Sequence, residues 1–417
     1  MKKTHLTVLS ASLLFMGSAF YSSVAFADNP PAPVATSSAE QGSLPELTPV
    51  ADAPKPEMPV INPIPPSLQA AAYILIDAQS GKIITQQNAT VKRPPASLTK
   101  IMTLYVISSA LKSGQITLDT EIPISEDAWR MGGSKMFVKV GTNVKVRDLI
   151  KGIIVDSGND ACVAMAEYLG GNEPSFAAMM NQEAQKLGMA SSHFTDSTGL
   201  PNPDHFTTAQ DLAVLARALI SHFPEYYPWY KEKWFTYAGI RQPNRNRLLW
   251  RDSSVDGVKT GHTDEAGFCL VASAQKNGTR LISVVLGDPS DSARASDSEA
   301  LLNYGFHFFE THLVYSAGKP VEKIHVWKGE TEEVSAGVAK DIYVTIPVNQ
   351  YKNIVITKDI PKNLSAPITK GQTLGNLVIK LNNEVIAKEP LIALEEDPQG
   401  GMMRRMKDTI KMMWNRE

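Results

Sequence analysis

Short apolar runs broken by turn residues occur near both ends of residues 67–318. One run, AAYILIDAQSGKIITQQNA, contains a turn at residues 78–81, and the other, GFCLVASAQKNGTRLISVVLGD, contains the pair Asn277-Gly278. An Asn-Gly pair between two apolar strands is typical of a β-hairpin. The pattern therefore predicts an antiparallel sheet built from both ends of this region.

Apolar residues recur at helical spacing between these two segments, and a polar stretch near 115–145 predicts short strands and loops. Thr208 and Asp211 resemble a capping box at the start of one helix. We expect an α/β domain over residues 67–318, in which helices flank the antiparallel sheet and form an inserted helical lobe. The predicted helices are SLTKIMTLYVISSALKSG from Ser97 to Gly114, VRDLIKGIIV up to Ser157, a helix from Asp160 to Gly170, QDLAVLARALI, and a helix from about Ala293 to Phe309.

Helical spacing disappears between about Pro320 and Glu395. Short runs such as VEKIHVWKG, IYVTIPV and NIVITKDI are separated there by Gly, Asn and Pro turns. This pattern predicts a small all-β sandwich domain over residues 319–395. The segment contains no recognisable catalytic set, so we expect it to support the first domain or to interact with other molecules.

The tail, residues 396–417, ends in a predicted C-terminal amphipathic helix, in which methionines at helical spacing alternate with arginines and lysines. A basic helix with methionine and tryptophan on its apolar face is typical of a segment that lies on an anionic membrane surface. A helix packed on the protein, or one that binds a partner, is the alternative. The expected membrane-binding side chains are Met402, Met403, Met406, Ile410, Met413 and Trp414.

Residues 1–27 are typical of a secretory signal peptide, because a basic start precedes an apolar stretch and Ala25-Phe26-Ala27 fits the small-x-small cleavage rule. The mature chain would then begin at Asp28. A retained membrane anchor is the alternative, although the apolar run is shorter than the ~20 residues that a membrane span needs. Residues 28–66 are rich in proline and alanine and lack apolar periodicity, which predicts an extended linker.

Composition limits the possible functions further. A formal net charge of −2 over 417 residues disfavours nucleic acid as a partner. The two cysteines, Cys162 and Cys269, are too few for a disulfide framework, and the sequence leaves open whether they pair. The fold must therefore rest on a hydrophobic core, which a chain with 43% hydrophobic residues is able to form.

Three short motifs occur in a fixed order: Ser97-Leu98-Thr99-Lys100, Ser157-Gly158-Asn159 and Lys259-Thr260-Gly261. Each motif alone is common, whereas the ordered set is rare. Together the motifs supply a nucleophile with its own base, a proton-relay serine, and a cationic strand for a substrate carboxylate. Such a set is typical of an active-site-serine acyl transferase that works without a histidine base.

Ser97 and Lys100 are three residues apart, which places both side chains on one face of a helix. A serine hydroxyl needs a base, and lysine serves as a base only when its amine is neutral. Burial in an apolar helix and the positive helix end both disfavour the ammonium form. For an isolated match the alternative would be an ordinary helix cap beside a solvated lysine.

The second motif follows an apolar helix in a glycine-containing turn, which would direct two polar side chains into a cleft. Ser157 would pass a proton between Lys100 and the leaving amine, and Asn159 would hydrogen-bond a substrate amide. An ordinary connection between two helices is the alternative.

The third motif opens an apolar strand whose edge would accept an extended peptide. Lys259 and Thr260 would bind a terminal carboxylate, and Gly261 would let the backbone approach the substrate closely. The backbone N–H groups of Ser97 and His262 would form an oxyanion hole. A solvated strand end is the alternative for this motif alone.

The ordered motifs resemble those of the penicillin-binding proteins and serine β-lactamases. Further stretches narrow the resemblance to D-alanyl-D-alanine carboxypeptidases of the low-molecular-mass penicillin-binding protein 5 type, and it covers about residues 67–417. The long proline-rich linker departs from the compact start expected of that family. The stretches that carry the resemblance are RPPASLTKIMT, VDSGNDACVAMAE, YKEKWFTYAGIRQPNRNRLLW, VDGVKTGHTDEAGFCLVASA and LLNYGFHFFET.

The resemblance implies a fold like that of the serine β-lactamases and transpeptidases. It implies that Ser97 is acylated by peptidoglycan pentapeptide stems, that Lys100 is the base, and that loss of the terminal D-alanine limits cell-wall crosslinking. β-Lactam antibiotics would acylate the same serine. Arg245 and Arg294 match positions near the substrate carboxylate. No metal and no organic cofactor is implied, and the expected location is the periplasm, on the outer face of the inner membrane.

Related activities remain as alternatives. A class A β-lactamase uses a glutamate after the second motif, whereas the comparable stretch here contains Asp196 and Asp204. A D,D-endopeptidase or transpeptidase on the same fold differs only in its donor and acceptor preference. A non-catalytic wall scaffold would have no reason to keep both Lys100 and Lys259. An α/β-hydrolase is disfavoured because the chain has no Gly-x-Ser-x-Gly sequence.

Overall fold

The computed structural model describes residues 63–414. The predicted signal peptide, nearly all of the predicted linker and the last three residues of the tail lie outside the described residues. Between residues 63 and 414, no helix has the length and apolar character needed to cross a membrane.

An antiparallel sheet forms the base of the first domain. Its five strands are arranged in the order β2-β1-β9-β8-β7, and the two short pairs β3–β4 and β5–β6 lie apart from it. Strand β7 is therefore an edge strand of the main sheet. The strands are β1 (Ala72–Asp77), β2 (Ile83–Gln87), β3 (Glu121–Pro123), β4 (Asn143–Lys145), β5 (Trp234–Tyr237), β6 (Ile240–Pro243), β7 (Val255–Thr263), β8 (Gly267–Lys276) and β9 (Thr279–Asp288).

Helices cover both faces of this sheet and form a lobe beside it. A 3₁₀ turn at Ala96–Thr99 leads into the first helix, and a π-helical turn at Gly152–Asp156 follows the third. The helices are α1 (Lys100–Lys112), α2 (Glu126–Arg130), α3 (Val146–Lys151), α4 (Asn159–Gly170), α5 (Glu173–Lys186), α6 (Ala209–His222), α7 (Leu248–Arg251) and α8 (Asp291–Phe308).

Successive residues of β1 point into two different cores. Tyr73 and Leu75 belong to the core that includes Leu301 of α8, whereas Ile74 and Ile76 belong to the core of the helical lobe. Because side chains alternate across a strand, a sheet covered on both faces needs an apolar residue at every position. This requirement explains the uninterrupted apolar run at the start of the domain.

The predicted fold class is confirmed, and its differences from the structure are local. The Asn277-Gly278 turn joins β8 to β9 as expected, and the Thr208 side chain accepts a hydrogen bond from Asp211 N, 3.0 Å away, at the start of α6. Helix α5 was not predicted, although Asn172 caps it by accepting a hydrogen bond from Ser175 N.

The second domain contains a five-stranded sheet in the order β11-β12-β16-β15-β14 and the separate pair β10–β13. Strand β10 pairs with β13 along its length, so this domain begins about ten residues before the predicted boundary at residue 319. Its apolar core includes Val334, Leu377 and Leu391. The strands are β10 (Phe309–Tyr315), β11 (Pro320–His325), β12 (Glu333–Gly337), β13 (Ile342–Pro347), β14 (Ile354–Asp359), β15 (Thr373–Leu381) and β16 (Glu384–Ala393).

Hydroxyl groups join the two domains at the end of β1. Thr311 Oγ1 donates a hydrogen bond to Asp77 Oδ2 over 2.8 Å, and Ser80 Oγ lies 2.6 Å from Thr345 Oγ1. These contacts connect the β1–β2 turn to strands β10 and β13, on the part of the sheet remote from edge strand β7.

The tail forms helix α9 (Met402–Trp414), which contacts the second domain through its polar side. Asp408 is buried, and its Oδ2 accepts a hydrogen bond from Lys328 N over 2.7 Å; Arg404 Nη1 donates to Glu330 O over 3.2 Å. The apolar face is not packed on the protein, since Met402, Met403, Met406, Ile410 and Met413 are all exposed. The helix therefore presents the reverse of the usual arrangement of an amphipathic helix on a domain.

Candidate active site

The nucleophile turn, Ala96–Thr99, places Ser97 directly before α1. Ser97 is half-buried and Lys100, the first residue of α1, is completely buried. Lys100 Nζ lies 2.9 Å from Ser97 Oγ. The predicted pairing of a serine with a lysine three residues later is therefore present as a direct hydrogen bond, across a 3₁₀ turn and not within one α-helix.

Two further acceptors hold the Lys100 side chain. Its Nζ donates to Asn159 Oδ1 over 2.7 Å and to the backbone carbonyl of Thr198 over 2.8 Å. Burial lowers the pKa of the Lys100 ammonium, which the charge of Asp196 only partly offsets. After losing one proton, the amine keeps two donors for Asn159 and Thr198 and turns its lone pair towards Ser97.

The π-helical turn after α3 delivers Ser157 in a left-handed conformation, with φ 60° and ψ 35°. Its side chain is buried, and its Oγ has no hydrogen-bond partner among residues 63–414. A buried hydroxyl without a partner is costly in a folded protein, and such groups concentrate at functional sites. A polar group of a bound substrate would therefore supply the hydrogen-bond partner that the hydroxyl of this predicted relay serine lacks.

Asn159 links Lys100 to the segment before β4. While its Oδ1 accepts from Lys100, its Nδ2 donates to Gly132 O over 2.8 Å, and its backbone N–H donates to Ser134 O over 2.7 Å. Both polar atoms of the Asn159 amide thus make hydrogen bonds inside the protein, and these bonds connect the two sides of the cleft. The predicted contact with a substrate amide would be made in addition to them.

Asp160 is a structural residue of the site that lies outside the three sequence motifs. Its Oδ1 accepts a hydrogen bond from Met136 N, and its Oδ2 accepts from Phe137 N and Val138 N, over 2.8–3.1 Å. These bonds hold the segment beside Asn159 in place. An aspartate at the start of a helix is usually a cap for that helix, so the sequence contained no signal for this distant role.

Asp156, immediately before the second motif, is also a buried acid outside the predicted site residues. Burial, followed by the charge of Asp160, raises its pKa to about 7, while Arg245 acts in the opposite direction. One of its carboxylate oxygens has no hydrogen-bond partner within the described residues. Its charge therefore changes close to neutral pH, next to the relay serine.

Edge strand β7 carries Lys259, Thr260 and Gly261 past the nucleophile turn. A Cβ atom on Gly261 would lie 3.0 Å from Pro95 O and 3.2 Å from Leu98 N, so glycine is needed for this close approach. From the sequence, Gly261 is expected to allow close approach of a substrate. In the structure, the group that approaches Gly261 closely is the nucleophile turn itself.

Lys259 is a buried cation with little compensation. Its Nζ donates to Thr260 O over 3.1 Å, and this is its only hydrogen bond within residues 63–414. Burial, followed by the charges of Lys100 and Arg245, lowers its pKa well below the ordinary value. An incoming carboxylate would supply both the missing acceptors and a compensating charge.

The two predicted arginines occupy different environments. Arg294 is buried in α8 and donates to Gly261 O over 2.9 Å, with Asp291 as its acidic partner, so it supports β7 from behind. Arg245 is exposed, and a cavity beside the third motif is lined by both residues. The imidazole ring of His262 is exposed and packs against Phe268, with ring centroids 3.9 Å apart. Within residues 63–414 this ring makes no hydrogen bond to Ser97.

The loop between α5 and α6 supplies the carbonyl that accepts from Lys100. Asp196 Oδ1 accepts from Thr198 N, Thr198 Oγ1 and Gly199 N, each over 2.7 Å. Although burial acts against it, hydrogen bonds from His205 and Thr198 hold the pKa of Asp196 below its ordinary value. Asp204, the other acid of this loop, has its backbone carbonyl 2.7 Å from His193 Nδ1. Asp196 is thus occupied in shaping the loop.

Both cysteines are buried as unpaired thiols. Burial raises the pKa of Cys162 to about 12 and that of Cys269 to about 11. The question that the sequence left open is answered by the structure: the two residues pack as small apolar side chains, and neither is activated as a nucleophile.

Comparison with known proteins agrees with this arrangement. A family model described as D-alanyl-D-alanine carboxypeptidase, peptidase S11, matches residues 60–290, and one described as the C-terminal domain of penicillin-binding protein 5 matches residues 309–399. A serine peptidase domain followed by a penicillin-binding protein β domain is the class that the fold and the site define. The chain belongs to the peptidase S11 family of D-alanyl-D-alanine carboxypeptidases and is a serine hydrolase.

Three similar proteins illustrate the relationship. D-alanyl-D-alanine carboxypeptidase DacA of Escherichia coli (strain K12) is 43% identical over 84% of this chain and 89% of the relative. DacC of the same strain is 45% identical over 84% of this chain and 90% of the relative. The crystal structure of penicillin binding protein 5 from Haemophilus influenzae is 42% identical, with a TM-score of 0.78 over 81% of this chain and 99% of that one. The family predicted from the motifs is confirmed.

Proposed function

We propose that this chain removes the terminal D-alanine of peptidoglycan pentapeptide stems through an acyl-enzyme on Ser97. The observation that carries the proposal is the 2.9 Å hydrogen bond from Lys100 Nζ to Ser97 Oγ, made by a lysine whose pKa is lowered by burial. A base already in contact with the nucleophile makes a histidine unnecessary. Stems that lack the terminal residue cannot donate to new crosslinks, so the activity limits crosslinking.

In the acylation step, neutral Lys100 takes the hydroxyl proton of Ser97 while Oγ attacks the carbonyl carbon of the penultimate D-alanine. The backbone N–H groups of Ser97 and His262 are the proposed donors to the oxyanion. Collapse of the tetrahedral intermediate breaks the C–N bond. Ser157, whose Oγ has no partner within the described residues, relays the proton that Lys100 has taken to the departing amine of D-alanine, which leaves Lys100 neutral again.

The substrate would lie along the open edge of β7 as an added strand. Lys259 and Thr260 then bind its terminal carboxylate, with Arg245 near by. This role is supported by the low number of hydrogen bonds that Lys259 makes inside the protein. A bound carboxylate raises the pKa of Lys259 and keeps it charged, which in turn favours the neutral form of Lys100.

Water completes the reaction by attacking the ester on Ser97, with Lys100 again as the base. A β-lactamase mechanism is less well supported, because three donors already occupy Oδ1 of Asp196. Glu173 is also engaged, accepting from Ser197 N and Ser197 Oγ over 2.9 and 2.7 Å. We therefore expect penicillins to form a long-lived ester with Ser97.

The proposal is tested by incubating the chain from Asp28 onwards with a pentapeptide that ends in D-Ala-D-Ala and measuring released D-alanine. Ser97→Ala should abolish both this release and covalent labelling by penicillin, while the circular dichroism spectrum stays unchanged. Labelling that persists in Ser97→Ala would overturn the assignment of the nucleophile. Penicillin labelling without D-alanine release would favour an endopeptidase or transpeptidase.

We also infer that α9 holds the enzyme on an anionic membrane surface, and that residues 1–27 direct export to the periplasm. Five apolar side chains of α9 are exposed together, whereas its buried Asp408 accepts a hydrogen bond from the second domain. An exposed apolar face flanked by basic residues suits a lipid surface with negative charge. Arg405 and Lys407 are exposed beside this face.

Vesicle sedimentation tests the membrane proposal. The full mature chain should bind vesicles that contain phosphatidylglycerol, less strongly at high salt, because exposed charges are screened. Removal of residues 402–417 should abolish this binding and leave D-alanine release in solution unchanged. Equal binding by the truncated chain would contradict the anchoring role of α9.

A further inference from the structure

A cavity of about 420 Å³ lies next to the third motif, between the β6–α7 connection and the start of α8. Arg245, Arg247 and Trp250 line one side of it, and Asp291 and Arg294 line the other. Since Arg294 also donates to Gly261 O, the cavity adjoins the strand that carries Lys259 and Thr260. Of its lining residues only Arg245 is used by the proposed carboxylate contact, and the rest of the cavity has no role in the proposed catalytic steps.

The cavity carries an excess of positive charge. Arg247 Nε lies 2.5 Å from Asp291 Oδ2, and Arg294 pairs with the other oxygen of the same carboxylate. The lining residues thus include three guanidinium groups and a single carboxylate, which leaves a formal charge of +2, and only Arg247 and Arg294 pair with that carboxylate. The terminal carboxylate of a substrate would neutralise one of these charges, so one positive charge remains to be matched.

The leaving residue is the part of the substrate that can reach this cavity. In the proposed complex its carboxylate binds at Lys259, Thr260 and Arg245, and its side chain starts from the carbon atom that bears this carboxylate. The first side-chain atom is therefore only about 2.5 Å from the carboxylate carbon, as standard covalent geometry requires. A methyl group fills a small part of a cavity of this size.

We propose that this cavity, the leaving-residue pocket, accepts the side chain of the C-terminal D-residue and favours a second carboxylate there. The inference rests on the proposed function. Arg247 supplies the additional positive charge, and the ring of Trp250 supplies an apolar wall for the methylene groups. The chemistry is unchanged: the Ser97 ester forms, the amide C–N bond breaks, and the proton passes to the amine of a larger, anionic leaving residue. The pocket thus widens the substrate class to stems and crosslinks whose leaving residue is acidic.

Release of the terminal amino acid should be compared for three pentapeptides that end in D-Ala-D-Glu, D-Ala-D-Gln or D-Ala-D-Ala. We expect kcat/KM for D-Glu to exceed that for D-Gln by about two- to fivefold, the range of a solvent-exposed charge pair. This ratio should fall towards one in 1 M NaCl, where the Debye length is ~3 Å.

Arg247→Gln should bring the ratio of D-Glu to D-Gln close to one, whereas Arg247→Lys should keep most of it. Arg251→Gln is the matched control, because Arg251 lies four residues after Arg247, at the end of α7 and outside the pocket, and pairs with Glu299. A wild-type ratio of one, with normal D-alanine release, would overturn the pocket assignment and leave the proposed function intact. No release from any peptide would overturn the proposed function, and this inference with it.

Discussion

The catalytic cleft and helix α9 depart from the usual distribution of side chains in opposite directions. In the cleft, Lys100 and Lys259 are buried at 0% and 2% exposure, whereas on α9 Met403 is 80% exposed. Proteins ordinarily bury apolar groups and leave charges in water. In this chain both departures occur where a molecule from outside is expected to bind.

The two regions differ in how the unfavourable arrangement is stabilised. Lys100 is compensated locally by three hydrogen bonds to Ser97, Asn159 and Thr198. The exposed methionines of α9 are not compensated; the helix is held through Asp408 and Arg404 on its other face. A buried cation therefore needs a precise set of hydrogen-bond acceptors, whereas an exposed apolar face needs only a helix whose polar side is fixed to the domain.

Replacement of the buried base tests the cleft most directly. Lys100→Met should lower the rate of acylation by labelled penicillin by about 10²–10⁴-fold, the usual contribution of a general base. Lys112→Met, on an exposed lysine at the end of the same helix, should leave this rate unchanged. A Lys100→Met rate within tenfold of wild type would show that the base lies elsewhere.

The exposed face of α9 should be sensitive to polarity. Met403→Ser combined with Met406→Ser should weaken binding to phosphatidylglycerol vesicles by at least about tenfold, because each buried apolar side chain contributes on the order of 1 kcal/mol or more. The same change at the exposed Val355 and Val385 of the second domain is the control. Equal loss in both double variants would contradict a specific role of α9.

The buried acid next to the relay serine should make stability depend on pH. Asp156 has an ordinary pKa of 3.8, which the fold raises to about 7. The folded state therefore binds more protons between pH 4 and pH 7, and the stability that this acid contributes is lost as the pH rises through 7. Asp160 and Arg245 are the charges that act on it.

Asp156→Asn should consequently raise Tm by at least about 3 °C more at pH 8 than at pH 4, because even one unit of pKa difference is worth about 1.4 kcal/mol. In domains of ~150–250 residues, 1 kcal/mol corresponds to about 2–4 °C. Calorimetry at the two values measures this difference. Asp264→Asn, at an exposed position of the same domain, should show none. A pH-independent effect of Asp156→Asn would mean that Asp156 is ionised in the folded protein at pH 4.

The smallest effect is expected at the hydrogen bond between Lys328 N and Asp408, which orients α9 on the second domain. Asp408→Ala removes the acceptor for Lys328 N and should increase hydrogen exchange in residues 402–414, at a cost of about 1 kcal/mol. Asp408→Asn keeps an acceptor oxygen and should show less exchange than Asp408→Ala. If both variants exchange like wild type, the contact does not orient the helix.

The sequence by itself determined the elements that depend on neighbours in the chain. The hairpin at Asn277-Gly278 and the cap at Thr208 follow from local turn chemistry. The succession of short strands from about residue 320 onwards follows from the loss of helical apolar spacing. The pairing of Ser97 with Lys100 was predictable for the same reason, because a separation of three residues brings two side chains together on any helical turn.

Only the tertiary structure decided which distant groups complete the cleft. The carbonyl of Thr198 reaches Lys100 from a loop 98 residues away, Asp160 holds a segment that lies 22–24 residues before it, and the two cysteines remain unpaired. Packing likewise turned Asp408 inwards and the methionines of α9 outwards. Backbone carbonyls and burial carry no local sequence signal, because they depend on the path of the whole chain and on what packs against each residue.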